Sequence, residues 1–128
     1  MSAPSKKVIL IVEDNDKNMK LARDILQAKG YSTLEAITGE EGVRVAKEKT
    51  PDLVLMDIQL PGINGIEAFT QLRADSRTAG IPVIAFTASV TASDRSQVTA
   101  AGFDAFLSKP IDLKEFVATI KRLAAGGG

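Results

Sequence analysis

The chain has neither cysteine nor histidine among its 128 residues. Without cysteine there are no disulfides, no thiolate nucleophile and no thiolate-bound zinc. Without histidine there is no serine–histidine catalysis, no imidazole metal site and no phosphohistidine. Lysine plus arginine equals aspartate plus glutamate, at 16 each, so the chain has no net charge. That balance leaves no electrostatic footprint for nucleic acid or an anionic membrane as partner. No apolar run approaches the ~20 residues that span a bilayer. Residues 1–6 lack the apolar stretch of a signal peptide. A cytoplasmic location is therefore expected, and whatever chemistry occurs must use carboxylate, hydroxyl and amine groups.

Apolar residues make up 45% and charged residues 25% of the chain, as in an ordinary globular domain. One domain over residues 7–124 is expected, with residues 1–6 as an N-terminal tail and 125–128 as a flexible glycine-rich one. Lys7–Val12, Leu53–Met56 and Ile81–Phe86 are short, almost wholly apolar runs, which read as strands buried on both faces. Tyr31–Ala36 and Phe103–Leu107 are more mixed and read as edge strands. Between them lie helical patterns. Leu21, Ala22, Ile25 and Leu26 mark the first, which stops at Gly30. Thr38 with Glu41 and Asn64 with Glu67 have capping-box spacing and open the second and third. The fourth, near 92–101, has no clean apolar stripe. The fifth starts at Asp112 and carries Leu113, Phe116, Val117, Ile120 and Leu123. Five strands alternating with five helices imply right-handed crossovers and a doubly wound parallel sheet, flavodoxin-like, with order 2-1-3-4-5.

In such a sheet, ligands sit beyond the carboxyl ends of the strands. Those ends carry Glu13 and Asp14, then Asp57, Thr87 and Lys109. Two carboxylates ~4 Å apart repel by roughly 4 kcal/mol at an effective dielectric near 20. One lysine offsets part of this, and a hard cation would offset the rest. An oxygen-only set suits Mg²⁺. The arrangement suggests phosphoryl transfer, with Asp57 as nucleophile and phospho-acceptor. The metal would be held by Asp14, Asp57 and a nearby backbone carbonyl, that of Gln59, with Glu13 acting directly or through water. Lys109 and the Thr87 hydroxyl would meet the phosphoryl oxygens.

Val12-Glu13-Asp14, Met56-Asp57 with Pro61 and Gly65, Thr87-Ala88 and Lys109-Pro110 occur in the order of the response-regulator receiver domain (CheY-like superfamily), which the chain resembles from about 7 to 123. Glu13-Asp14-Asn15 and Met56-Asp57-Ile58-Gln59-Leu60-Pro61 look most similar to stand-alone, DivK-type receivers. The resemblance implies a two-component or phosphorelay protein whose phosphoryl donor is a sensor histidine kinase or histidine phosphotransfer protein. It implies catalysis of only its own phosphorylation and dephosphorylation, and a cis peptide at Lys109–Pro110. It also implies a switch in which Thr87 moves toward the phosphate and Phe106 turns inward. Relatives often have tyrosine at that position, so a hydroxyl is missing here. Gln59 and Ser89 are expected to tune phosphate lifetime. Output is expected through the face made by the fourth helix, fifth strand and fifth helix.

Each residue has a plainer reading when taken singly. Asp14 could cap a helix, Lys109 could be a solvated lysine, Thr87 a strand-end hydroxyl and Phe106 simple core. A haloacid-dehalogenase-type phosphatase would need an acid–base Asp where Gln59 stands. Flavodoxin-type or dinucleotide binding would need a glycine- or hydroxyl-rich loop in place of Glu13-Asp14-Asn15-Asp16. The alternative that stays open is a pseudo-receiver, an interaction module that works without phosphorylation.

Overall fold

The computed structural model describes residues 7–88 and 92–126. Its elements alternate as β1 (Val8–Val12), α1 (Asp16–Ala28), β2 (Ser32–Ala36), α2 (Gly39–Lys49), β3 (Leu53–Asp57), α3 (Gly65–Ala74), β4 (Val83–Thr87), α4 (Ala92–Ala101), β5 (Ala105–Ser108) and α5 (Leu113–Gly126). The strands form one parallel sheet in the order β2-β1-β3-β4-β5, as the apolar patterning implies. β3 and β4 are buried at every position, whereas β2 and β5 are mixed. That is the mark of central strands covered on both faces and edge strands covered less.

Alternation along the strands sorts side chains into two cores. Ile9, Ile11, Leu53, Leu55, Ile84, Phe86 and Leu107 meet α1 and α5 through Met19, Ala22, Leu26, Phe116 and Ile120. Leu10, Val12, Val54, Met56 and Val83 meet α2 and α3 through Val43, Ala46, Ala68, Phe69 and Leu72. Fully burying one Leu, Ile or Phe contributes about 1.5–3 kcal/mol, so these two layers dominate the stability.

The helix caps fall where the spacing places them. Thr38 Oγ1 accepts from the Glu41 N–H at 3.0 Å, and Asn64 Oδ1 accepts from the Glu67 N–H at 2.9 Å. Four local expectations are corrected. Leu21 is 47% exposed and Leu113 57% exposed, so neither belongs to the core; Met19 and Ala124 are buried instead. β4 starts two residues later than the apolar run suggests, because Pro82 has no N–H to give and the Ile81 carbonyl accepts from Arg73 at 2.7 Å. β5 also starts late. Phe103 leaves the strand to stack on Phe69 at 4.1 Å, and the Asp104 carboxylate takes the Val83 N–H at 2.8 Å. The segments 1–6 and 127–128 expected as tails, and Ser89, lie outside the described residues; α5 itself runs to Gly126.

Candidate phosphoryl-acceptor site

Strand alternation places the site's acids. Ile11 and Leu55 point into the core beneath α1 and α5, so Glu13 and Asp57, two residues on, continue toward the same side at the top of the sheet. The Glu13 N–H bonds the Ala36 carbonyl at 2.9 Å, extending the ladder one residue past β1 and holding the side chain over the core. Asn15 caps α1 by accepting from the Asn18 N–H at 3.0 Å, so Asp14 is not the cap and stands exposed beside the site. Lys109 follows β5, and its N–H bonds the Thr87 carbonyl at 2.9 Å. The Lys109–Pro110 peptide is cis.

These positions bring the charged groups together. Lys109 Nζ lies 3.0 Å from Asp57 Oδ2 and 2.6 Å from Glu13 Oε1. It also sits over the Phe86 ring, 5.0 Å from its centre. One oxygen from each of Glu13, Asp14 and Asp57 lies within 4.8 Å of the others. Three carboxylates thus face one ammonium group. Glu13 is 1% and Asp57 3% exposed. Burial pushes the Glu13 carboxyl up to about 7; the Lys109 ammonium pulls it down and the Asp57 carboxylate pushes it up again. Burial opposes charge on Lys109 too, but its two carboxylate partners prevail and raise its pKa.

The fit to a divalent cation rests on the donor set itself. All three groups are hard oxygen donors. Glu13 Oε1 is buried and has no hydrogen-bond partner of proper geometry, its contact with Lys109 being one of charge and distance. One ammonium shared among three carboxylates leaves negative charge that a further cation would balance. The Gln59 N–H donates to Asp57 Oδ1 at 2.9 Å, which ties the backbone at Gln59 to the acidic cluster.

Gly65 sets the floor of the site. A Cβ there would lie 2.3 Å from the Asp57 carbonyl oxygen and 2.7 Å from Ile58 Cα. Only glycine lets the start of α3 pass this close beneath Asp57, where the Gly65 N–H bonds the Ile58 carbonyl at 2.9 Å. Gly65→Ala therefore displaces the β3–α3 loop. It should cost about 1–3 kcal/mol in chemical denaturation, the usual range for overpacking. An unchanged midpoint would show that the loop yields freely.

Thr87 is buried at the end of β4 on the opposite side of the sheet from Asp57's neighbours Leu55 and Phe86. Phe106 pairs with Ala85 in register, so it shares a face with Ala85 and Thr87. A cavity of about 230 Å³ opens between Thr87, Ile58, Gln59, Asn64, Ile66 and, from α4, Gln97 and Val98. The larger groove, about 730 Å³, runs along α5 past Leu113, Val117 and Lys121 and holds none of the strand-end groups. One contact escaped the sequence entirely. The Arg95 guanidinium lies over the Phe106 ring, 4.8 Å from its centre. α4 has no stripe that would have pointed to it.

The chain as a whole is similar to known proteins. A family model for the response regulator receiver domain matches residues 9–121. The chain is 45% identical over 115 residues to the polar-differentiation response regulator DivK of Brucella ovis, covering 90% of this chain and 94% of that protein. The DivK of Brucella melitensis matches to the same extent. Among solved structures it is similar to a CheY-like receiver domain protein from Methanospirillum hungatei, with a TM-score of 0.86 and 28% identity over 96% of this chain and 97% of that one. It is also similar to the receiver domain of a sensor histidine kinase from Pseudomonas aeruginosa, with a TM-score of 0.88 and 31% identity over 94% of this chain and 99% of that one. The latter holds a magnesium ion in its active site cleft. A sheet that gathers its charged groups at the winding reversal, in a chain matched almost end to end, belongs to the response regulator receiver family, the signalling domains of two-component systems.

Proposed function

We propose that this response regulator accepts a phosphoryl group on Asp57 from a partner's phosphohistidine, with Mg²⁺, and that the modification switches its binding to other proteins. The observation that carries this reading is the placement of Asp57: a nearly buried carboxylate at a strand end, 3.0 Å from Lys109 Nζ and inside an acidic cluster. A purely structural aspartate gains nothing from two further acids beside it.

In the reaction, an Asp57 carboxylate oxygen forms a bond to phosphorus while the donor's phosphorus–nitrogen bond breaks. The imidazole nitrogen keeps the electron pair and takes a proton from solvent. Charge on the transferring group is met by Lys109 and by the Thr87 hydroxyl. Glu13, Asp14, Asp57 and the Gln59 carbonyl are the groups that would hold Mg²⁺, which when bound neutralises phosphoryl oxygens that carboxylates would otherwise repel. Dephosphorylation is attack of water on the same phosphorus, returning the carboxylate and inorganic phosphate. Gln59 lines the cavity beside Asp57 and so controls that water's approach. Ser89 is assigned the same role from its position two residues past Thr87.

The downstream signal runs through Thr87 and Phe106 to the face of α4, β5 and α5. Among the described side chains of α4, Val98 alone is fully buried, at 3% exposed, so little apolar contact resists a shift of that helix. Among the described residues no helix is long and apolar enough to cross a membrane. A sensor histidine kinase or a histidine phosphotransfer protein is the proposed donor, met in the cytoplasm.

The metal dependence has a direct check. Acetyl phosphate or a phosphohistidine donor should label the protein in Mg²⁺, and a chelator should stop it. Magnesium titration followed by amide NMR should move the Glu13, Asp14, Asp57 and Gln59 signals together. Labelling kinetics indifferent to the chelator would remove the metal from the mechanism.

A further inference from the structure

We propose that Arg95 is a positioning residue for the switch: its guanidinium, stacked on Phe106, holds that ring at the surface and so sets how readily the site takes phosphate. The inference rests on the Thr87–Phe106 switch proposed above and names what biases it.

The ring has a choice of positions because of what lies beside it. Phe106 is half-buried on the edge strand, and its partner across the β4–β5 ladder is Ala85. Alanine is the smallest side chain that could stand beside the ring there, and Thr87 lies two residues on along the same face. A half-buried apolar ring gains by turning inward, since burial removes its surface from water. Phenylalanine has no hydroxyl with which to bond the surface and resist that pull. The Arg95 guanidinium supplies the resistance instead. Its carbon lies 4.8 Å from the ring centre, within the range of cation–π attraction. Arginine is also the cation best suited to the task, because its planar group covers the ring face and excludes water from it.

Arg95 stands on α4, the helix fastened to the sheet by the fewest large apolar side chains. The clamp therefore connects the sparsely packed part of the proposed output face to the switch ring. Coupling of this kind is reciprocal. If Arg95 favours the surface position and phosphate favours the inward one, each opposes the other by the same factor. A partner that draws Arg95 away from Phe106 thereby makes phosphorylation easier, and phosphorylation frees Arg95 for a partner.

The size follows from the contact. An exposed cation–π pair shifts an equilibrium by about two- to fivefold. Arg95→Ala in the full chain should bind beryllofluoride with Mg²⁺, a mimic of the phosphoryl group, about two- to fivefold more tightly than the parent. In the free protein the Phe106 ring signals should move toward their beryllofluoride-bound positions. Arg95→Lys, which keeps charge but loses the flat stacking surface, should fall between. In a Phe106→Leu background the Arg95→Ala effect should vanish, which loss of helix stability alone would not produce. Equal affinity and unmoved ring signals in Arg95→Ala, or an effect that persists in Phe106→Leu, would overturn the clamp. Failure of the parent protein to bind beryllofluoride at all is a separate result and sinks the phospho-acceptor reading instead.

Discussion

Asp57→Asn should leave a folded protein that takes no phosphoryl group from acetyl phosphate or a phosphohistidine donor. The amide keeps the volume of the carboxylate, and its oxygen can still accept from the Gln59 N–H. Lys109 retains Glu13 as a partner. What is lost is the anionic oxygen that forms the acyl phosphate, and no geometric compensation restores it. The variant carries a second signature. Asp57 is one of the groups that raise the Glu13 pKa, so its neutralisation should lower that pKa, leaving burial as the main upward cause. Intact-mass labelling reads the first effect and carboxyl-carbon NMR titration reads the second. Stoichiometric label on Asp57→Asn would move the nucleophile elsewhere. A parent protein that is never labelled yet binds its partners would make this chain an interaction module alone.

The second large effect concerns pH. In the folded chain the Glu13 carboxyl is raised from 4.5 to about 7. Between those values the folded protein binds more protons at this site than the unfolded chain does. Stability without metal is therefore highest near the lower value and falls as pH rises through the upper one. At 1.36 kcal/mol per unit, the loss is about 3 kcal/mol, a sizeable part of a total usually near 5–15 kcal/mol. The other shifted groups do not act in this window. The Arg77 guanidinium holds Asp75 well below the ordinary carboxylate range, so its contribution is lost only in stronger acid. Lys109, raised by its carboxylate partners, loses its contribution only at strongly alkaline pH. Urea denaturation in a chelator at pH 5 and pH 7.5 should show the fall, and Glu13→Gln should flatten it. Added Mg²⁺ should stabilise the protein more at pH 7.5, where protons compete less for the same oxygens. A flat profile in the parent would mean that Glu13 is charged throughout without penalty.

Such instability at the strand ends is what the proposed phosphoryl transfer would demand. Glu13 and Asp57 are set where a core strand ends, and together they cost the apo-protein stability that aliphatic residues would supply. The same crowding suits the site for a cation and a phosphoryl group.

Much of this protein was determined by local sequence. Apolar runs of strand length, capping residues three before an acid, and the contrast between β3 or β4 and β2 or β5 set the elements and their order. Those signals survive because periodicity and caps act over a few residues. The five strand-end groups were visible for the same reason, since each stands one or two residues past an apolar run. Tertiary structure decided the rest. Helical spacing admits both Leu21 and Met19 to the apolar side, and only packing on the sheet shows that Met19 is buried and Leu21 is not. The late starts of β4 and β5 come from Arg73 and Asp104, which meet across 31 residues at 2.8 Å. The contact of Arg95 with Phe106 needs α4 laid against the edge strand. Glu13's raised pKa needs the burial and the Asp57 neighbour that the assembled sheet supplies, with Lys109 pulling the other way. Charge interactions and burial depend on distance in space, which no local pattern in the chain records.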